Sequence, residues 1–261
     1  MSELRNIARE RLERGELSLG LGIRQARGVE IAKILKTCGY DWLFIDLEHS
    51  TLSLDTAGQM SVAALDAGIA PLVRVPEAAF SMASRALDGG ALGVVMPHVD
   101  TADAARAIVS HLKYPPVGHR SVAGALAHFD FRAMKTADLT AAANAATLVV
   151  VMIETPQAVA NADAIAAVPG VDALLIGTND LSAEMGMSGD FANPRIVAAY
   201  EAVIAACRKH RKFPGMGGVY NEDMMRRYIG LGMRLILSGG DTGMLMQAAT
   251  QRSTFLRGCL S

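Results

Sequence analysis

The chain has 261 residues, of which 51% are hydrophobic and 20% are charged. Lysine and arginine number 25 against 26 aspartates and glutamates, so the net charge of −1 provides no strong field for binding nucleic acid or an anionic membrane. The first residues do not resemble a signal peptide, and no apolar run approaches the ~18 residues of a membrane span, so we expect a cytoplasmic protein that acts on small molecules.

Short apolar segments alternate along the chain with longer segments of helical period, which is the pattern of repeated βα units. The length and this alternation predict an α/β fold, a single closed (β/α)8 TIM barrel over residues 1–261, in which the first 15 or so residues form an amphipathic leading helix. An open doubly wound sheet ranks second, because no GxGxxG motif follows the first strand. The predicted strands are Leu19–Ile23, Trp42–Asp46, Pro71–Val75, Leu92–Pro97, Leu148–Glu154, Ala173–Gly177, Pro214–Val219 and Arg234–Gly239.

The connection between the fourth and fifth predicted strands, residues 98–147, is longer than one helix requires. It contains the sequence KYPPVGHRSVAGALAHFDF, which is rich in proline, glycine and aromatic residues. Long loops in compact domains are often functional, but a packed surface loop or a contact between subunits would have the same composition. The sequence leaves both interpretations open.

Acidic residues follow two neighbouring predicted strands at the end where such barrels build their active sites. Glu154 ends the fifth strand, and Asp180 comes three residues after the sixth. A carboxylate buried at the end of an apolar strand is costly unless a cation compensates it, and carboxylate oxygens suit Mg2+ or Mn2+. We therefore predict a divalent metal site. The alternatives are an ion pair between Glu154 and a barrel arginine, and a helix N-cap at Asp180.

Three further polar residues lie at the ends of the second and third strands. His49 follows Asp46 by three residues, so the carboxylate could orient the imidazole for proton transfer, although a solvated loop histidine fits equally well. Arg74 ends the third strand, where a fixed cation could stabilise an enolate or bind a carboxylate. Its alternative is a structural ion pair with Asp46 or Glu48.

Sequence motifs along nearly the whole chain occur together in one known family. They are, in order, YDWLFIDLEHS, PLVRVP, GVVMPHVDTADAAR, YPPVGHRS, VVVMIETPQAVANADAIAAVPGVDALLIGTNDLSAEMG and LILSGGDTGML. In this combination the sequence resembles the HpcH/HpaI aldolases, which include 4-hydroxy-2-oxoheptanedioate and 2-keto-3-deoxy sugar-acid aldolases of the phosphoenolpyruvate/pyruvate barrel superfamily. The resemblance implies a class II, metal-dependent aldolase that reversibly cleaves 4-hydroxy-2-oxo acids to pyruvate, or a related 2-oxo acid such as hydroxypyruvate, and an aldehyde.

The resemblance also implies roles for individual residues. Glu154 and Asp180 match the ligands of a divalent metal, Mg2+ or Mn2+, with Co2+ or Zn2+ as alternatives. Arg74 matches the arginine that stabilises the pyruvate enolate. His49 matches the histidine of proton transfer, with Asp46 as its partner.

Further implications concern the substrate carboxylate and the assembly. The backbone amides of Asn179 and Asp180 resemble the element that receives the carboxylate, which suits a helix start on physical grounds. Asp88 matches an acidic position near the family's site that could come from a neighbouring subunit. The family usually forms homohexamers built from two trimers, and the apolar helix around Thr242–Ala249 could make such contacts.

Departures from the family pattern leave the aldehyde open. Met152 stands where the family often has glutamine, the GIRG loop reads GHRS, and no aromatic residue lies near the first strand. Arg24 and His119 could contact a polar acceptor or could be solvated loop residues. No lysine ends a predicted strand, which argues against Schiff-base chemistry. The rival functions are a malyl- or citramalyl-CoA-type thioester lyase and a non-catalytic barrel that binds small acids.

Overall fold

The computed structural model describes residues 4–259, and within them eight parallel strands form a closed barrel. Each strand pairs with its neighbours in chain order, and the last pairs with the first. The predicted (β/α)8 fold is therefore confirmed. The strands are β1 Ser18–Ile23, β2 Trp42–Asp46, β3 Ala70–Arg74, β4 Gly93–Met96, β5 Leu148–Ile153, β6 Ala173–Gly177, β7 Phe213–Gly217 and β8 Leu235–Gly240.

The helices form the outer layer, and polar side chains cap several of them. Ser53 accepts a hydrogen bond from the Thr56 backbone and Thr101 one from the Ala104 backbone, so each satisfies an amide at a helix start. The predicted leading helix is present as α1, although residues 1–3 of that prediction lie outside the described chain. The helices are α1 Ile7–Glu13, α2 Ile31–Thr37, α3 Leu54–Ala67, α4 Phe80–Asp88, α5 Ala102–Leu112, α6 Thr136–Ala146, α7 Pro156–Ala160, α8 Ala162–Ala166, α9 Thr178–Glu184, α10 Pro194–His210, α11 Glu222–Leu231 and α12 Asp241–Gly258, with a 3-10 turn at Ala127–Phe129.

All eight predicted strands are present, and no boundary differs by more than two residues from the prediction. The differences have local causes. Pro97 has no backbone N–H to donate, so β4 stops at Met96. Gly218 has a φ of +90°, a left-handed value that turns the chain out of the sheet and ends β7 at Gly217.

Side chains along each strand alternate between the barrel interior and the layer beneath the helices. In β2, Trp42 and Phe44 point into the barrel, whereas Leu43 and Ile45 pack under the helices. Trp42 is fully buried and lies over Gly20 of β1, where a Cβ atom would come within 2.2 Å of the indole ring. The indole thus fills part of the barrel interior. Charged side chains follow it at the C-terminal ends of the strands.

The long connection after α5 does not reach those strand ends. Helices of this fold run antiparallel to the strands, so the chain leaves α5 at the opposite end of the barrel. There Arg120 stacks over Tyr114, and the His128 ring contacts the Ala91 carbonyl at 2.9 Å. Within one chain this segment packs against the barrel's far end. No described helix is both long enough and apolar enough to cross a membrane.

Candidate active site

Three charged residues occupy inward-facing positions at the C-terminal ends of β2, β3 and β5, on one side of the barrel. Asp46, Arg74 and Glu154 each lie two positions after a buried apolar residue of β2, β3 or β5 that points into the barrel. Because the side-chain period of a strand is two, their side chains meet in the same interior. A cavity of about 220 Å3 opens above them. Its polar lining includes Arg24, His49, Arg74, Asn179, Asp180 and Tyr220.

Asp46 is fully buried and is held by arginine side chains. Its carboxylate accepts hydrogen bonds from Arg74 Nε at 2.9 Å and Nη2 at 2.6 Å, and a third from Arg24 Nε at 2.7 Å. Burial alone would raise the pKa of Asp46, but the bonds and charge of Arg74 outweigh it and lower the pKa to about 2. Arg74 Nη1 also lies 2.9 Å from Glu48, so the structural contacts considered for Arg74 are both present.

The predicted pairing of Asp46 with the His49 ring is wrong. Asp46 accepts a hydrogen bond from the His49 backbone N–H at 3.1 Å, while its oxygens are engaged by the two arginines. The imidazole is half exposed at the cavity, and Nε2 lies 3.8 Å from Glu48. Asp46 and His49 are three residues apart in a tight turn that presents the His49 backbone amide to the carboxylate, and no hydrogen bond joins the imidazole to Asp46 in the described chain.

Glu154 is as buried as Asp46 but lacks an arginine partner. Oε2 accepts a hydrogen bond from the His98 backbone at 2.8 Å, and the His98 ring Nδ1 lies 3.4 Å away. Burial raises the pKa of Glu154 to about 7, and the negative charge of Asp180 contributes to the rise. Gly177 makes room for this side chain, since a Cβ there would lie 2.5 Å from Oε1. The predicted alternative of an ion pair with a barrel arginine is not seen in the described chain.

The donor set around Glu154 fits a divalent cation. Glu154 and Asp180 are two carboxylates that repel each other, and Glu154 is buried. A cation between them would stabilise both charges. Within residues 4–259 no group of three or more histidine, cysteine or acidic residues is placed to hold a metal. Mg2+ and Mn2+ suit this arrangement, because Mg2+ commonly uses one or two carboxylates and completes its shell with water or substrate oxygens.

The residues after β6 differ slightly from the sequence prediction. Helix α9 begins at Thr178 with Gly177 as its N-cap, so Asp180 lies inside the first turn and does not cap it. Asn179 and Asp180 are exposed and line the cavity, and the amides of a helix's first turn have no partner within the helix. Thr178 is buried and donates to the Gly217 carbonyl at 2.7 Å, which fixes the helix start on β7.

Asp88 is not brought to this cavity within one chain. It ends α4 and forms an ion pair with Arg120 at 2.5 Å. The C-terminus of a barrel helix lies at the opposite end from the strand C-termini. His119 is exposed on the same far segment, whereas Arg24 lies at the cavity.

Sequence reasoning missed two contributors to the site. His98 has a φ of +53°, a left-handed conformation in which its amide contacts Glu154. The signal was its position directly after the fourth strand and Pro97. Glu48, beside Arg74, was considered only as a structural partner, yet it is the carboxylate nearest the His49 ring. Met152 lines the cavity, with its sulfur 4.0 Å from Arg74 Nη1.

Comparison with known proteins places this geometry in a family. The family described as HpcH/HpaI aldolase/citrate lyase matches residues 25–248. The chain belongs to this family. It is 41% identical over 250 residues to a 4-hydroxy-4-methyl-2-oxoglutarate aldolase of Hapsidospora irregularis, a match that covers 94% of this chain and 93% of the relative.

Two further relatives of the HpcH/HpaI chain agree with this assignment. A 4-hydroxy-2-oxo-heptane-1,7-dioate aldolase of Salmonella dublin is 35% identical over 246 residues, which cover 94% of this chain and 92% of the relative. The crystal structure of an HpcH/HpaI aldolase from Desulfitobacterium hafniense DCB-2 superposes with a TM-score of 0.91 at 28% identity, over 97% of each chain. The chain is thus a carbon–carbon lyase, as the sequence predicted.

Proposed function

We propose that this HpcH/HpaI protein is a divalent-cation-dependent class II aldolase that reversibly cleaves 4-hydroxy-2-oxo acids. The products would be pyruvate, or a related 2-oxo acid such as hydroxypyruvate, and a second carbonyl compound. The observation that carries the proposal is the buried carboxylate of Glu154, which has no arginine or lysine partner in the described chain, lies near Asp180 and adjoins a cavity lined by Arg74 and His49. The names of the relatives, aldolases of two 4-hydroxy-2-oxo acids, support the same substrate class.

Glu154 and Asp180 would hold the cation, Mg2+ or Mn2+, with Co2+ or Zn2+ as alternatives. When bound, such a cation supplies Lewis-acid polarisation of the 2-oxo group. The exposed first turn of α9, with Asn179 and Asp180, would receive the substrate carboxylate on its free amides. The rest of the chemistry depends on the residues around the cavity.

Arg74 and His49 would act on the reacting atoms. When the C3–C4 bond breaks, its electron pair moves toward the C2 oxygen, and the guanidinium of Arg74 would stabilise that developing charge. Asp46 and Glu48 hold Arg74 in place, so no reorganisation is needed at that moment. The 4-hydroxyl proton would leave to a water positioned by the half-exposed imidazole of His49. Protonation of C3 would then complete the 2-oxo acid.

The cavity disfavours the rival thioester lyase and a Schiff-base mechanism. Its volume of about 220 Å3 is below the ~300 Å3 at which pockets for drug-sized ligands begin, so a coenzyme A thioester would have to lie mostly outside. A Schiff-base mechanism would need a lysine at the reacting carbonyl. No described lysine lines the cavity, and the buried Lys113 instead donates to the Thr147 carbonyl at 2.6 Å.

The test is pyruvate release from a panel of 4-hydroxy-2-oxo acids, with EDTA and then with added Mn2+ or Mg2+. We expect release that EDTA abolishes and the metal restores, and a loss of at least ~10³-fold in Glu154→Gln because the cation is lost. Glu184→Gln, an exposed carboxylate at the end of α9 outside the cavity, is the matched control. Turnover in EDTA would contradict the metal mechanism, and no turnover of any acid would contradict the aldolase proposal.

We also propose a homo-oligomer, in the family's pattern a hexamer built from two trimers. Helix α12 supports this, because none of its 18 residues is buried in the described chain and Leu245 and Phe255 are 70% and 64% exposed. A neighbouring subunit could then bring Asp88 to the cavity. Light scattering of the wild type and of Leu245→Glu tests the assembly.

The same assignment favours a cytoplasmic enzyme. All three cysteines, Cys38, Cys207 and Cys259, are free thiols, which suits a reducing compartment. Separation of a lysate into cytosolic and membrane fractions tests this location.

A further inference from the structure

Arg24 lies at the rim of the cavity with most of its hydrogen-bonding capacity unused. It follows β1, its side chain is 49% exposed, and it lines the cavity opened by Arg74 and Asp180. Nε donates to Asp46 at 2.7 Å, but within residues 4–259 neither terminal nitrogen donates to any acceptor. A guanidinium carries five N–H donors. Four of them therefore remain available to a ligand.

The loop that carries Arg24 is fixed by Asp241 at the start of α12. The Asp241 carboxylate accepts backbone hydrogen bonds from Arg24 at 3.2 Å, Gln25 at 2.8 Å and Ala26 at 2.8 Å. Burial alone would raise the pKa of Asp241, but these donors together lower it, so the anchor stays ionised at neutral pH. Arg24 is therefore held in place before a ligand arrives, which reduces the entropic cost of binding.

The other charged groups at the cavity have partners or assigned tasks. Arg74 is 5% exposed and directs three nitrogens at Asp46 and Glu48. Asp180 is an acidic residue, and His49 already has the proposed task of positioning the water that takes the proton. Among the described residues that line the cavity, Arg24 is the guanidinium best placed to bind a second carboxylate by a bidentate contact.

We propose that Arg24 binds a carboxylate on the acceptor half of the substrate. The preferred acceptor is then a short carbonyl compound whose carboxylate is adjacent to its carbonyl, that is, a second 2-oxo acid or glyoxylate. The cavity of about 220 Å3 limits the chain between the two groups. In cleavage, the 4-hydroxyl proton and the C3–C4 electron pair move as in the proposed function, on which this inference rests. Arg24 transfers no proton and selects the substrate.

The experiment compares two substrates of equal carbon number. The acceptor half of 4-hydroxy-2-oxoglutarate carries a carboxylate where 4-hydroxy-2-oxopentanoate has a methyl group. We expect wild-type kcat/KM to favour the diacid by about 10- to 100-fold, the range of a charge-assisted bidentate contact. Arg24→Met should lower kcat/KM for the diacid by about this factor and affect 4-hydroxy-2-oxopentanoate less, so that the preference for the diacid disappears. Arg24→Lys, which keeps the charge but loses the planar fork, should retain part of it.

Arg106→Met, which removes an exposed arginine on α5, is the matched control and should keep the wild-type ratio. Equal loss with both substrates in Arg24→Met would overturn the proposal, because Arg24 would then act only through Asp46. If the wild type shows no preference, or prefers 4-hydroxy-2-oxoheptane-1,7-dioate with its distant carboxylate, the adjacent-carboxylate inference fails while the aldolase stands. Cleavage of none of the three acids would overturn both.

Discussion

Asp46 and Glu154 are two carboxylates at the same end of the barrel, almost equally hidden from solvent, yet their pKa values move in opposite directions. Arg74 holds the pKa of Asp46 at about 2, whereas burial and the charge of Asp180 raise that of Glu154 to about 7. Burial is therefore not what separates them. The difference lies in the partners of the two carboxylates: Asp46 is paired with two arginines, whereas Glu154 contacts His98 and has no arginine or lysine partner among residues 4–259.

This contrast divides the candidate site into an Asp46 part, whose charges are paired within the folded chain, and a Glu154 part, where the proposed function places a cation. The arginine pair on Asp46 makes a rigid wall whose charges are nearly balanced. The negative charges of Glu154 and Asp180 repel each other, and the cation of the proposed function would relieve this repulsion. The repulsion would lower the stability of the cation-free protein. A bound cation would remove the repulsion, so its binding would also stabilise the fold.

The largest effect on stability is expected from breaking the ion pair between Asp46 and Arg74. Asp46→Asn removes the charge that compensates the buried guanidinium of Arg74, so the free energy of unfolding should fall by about 3–5 kcal/mol. Urea denaturation measures it. Asp163→Asn is the control, since that carboxylate pairs with Lys209 and His210 on the surface and should change stability little. A loss no larger than that of the control would mean that Arg74 is solvated.

The second prediction separates the two carboxylates by pH. The pKa of Glu154 is higher in the folded protein than in the unfolded chain, so protonated Glu154 contributes to the stability of the metal-free protein. This contribution, about 3 kcal/mol of the free energy of unfolding, is fully present below pH 4.5 and is lost as the pH rises through about 7. Asp46 has a lowered pKa, so its contribution persists above pH 3.8 and is lost only as the pH falls toward 2. Thermal unfolding in EDTA between pH 4 and 8 checks the Glu154 effect. Glu154→Gln should make the unfolding temperature less dependent on pH in this range. If the pH dependence is the same in this variant, another titrating group is responsible for it.

The sequence predicted the barrel, and the same physical reason predicted which charged residues the barrel brings together. Apolar runs of strand length ended in charged residues, and strand ends converge at one face, so Glu154, Asp180, Arg74 and Asp46 could be placed together in advance. Pairing was harder, because it depends on side-chain direction. Asp46 was assigned to the imidazole three residues away when the inward alternation of β2 and β3 sends it to Arg74 instead.

Contacts that depend on the backbone conformation of a loop could not be predicted from the sequence. The amide of His98 reaches Glu154 only because this residue adopts a left-handed φ after β4. The anchoring of the Arg24 loop by Asp241 joins residues more than 200 positions apart through closure of β8 on β1. Such contacts follow from the closed barrel and have no local pattern in the chain.

A smaller effect should come from the space beside Glu154. In Gly177→Ala the new Cβ would lie 2.5 Å from Oε1, so the carboxylate must shift, and overpacking of this kind costs about 1–3 kcal/mol. Displacing a cation ligand should also lower metal-dependent kcat/KM by about 10- to 100-fold. Gly230→Ala, where no atom lies within 4 Å of the added Cβ, is the matched control. Unchanged metal dependence would show that the position of Glu154 is not critical.

The smallest effect on stability is expected at the loop that carries Arg24. Asp241→Ala removes the acceptor of three loop amides that water can partly replace, so stability should fall by only about 1 kcal/mol. The consequence for selectivity should be clearer, because a mobile loop no longer presents Arg24 in one position. The ratio of kcat/KM for 4-hydroxy-2-oxoglutarate to that for 4-hydroxy-2-oxopentanoate should drop severalfold, but less than in Arg24→Met. If the ratio stays at the wild-type value, the bond from Arg24 to Asp46 alone suffices to orient the guanidinium, and the anchor serves only the fold.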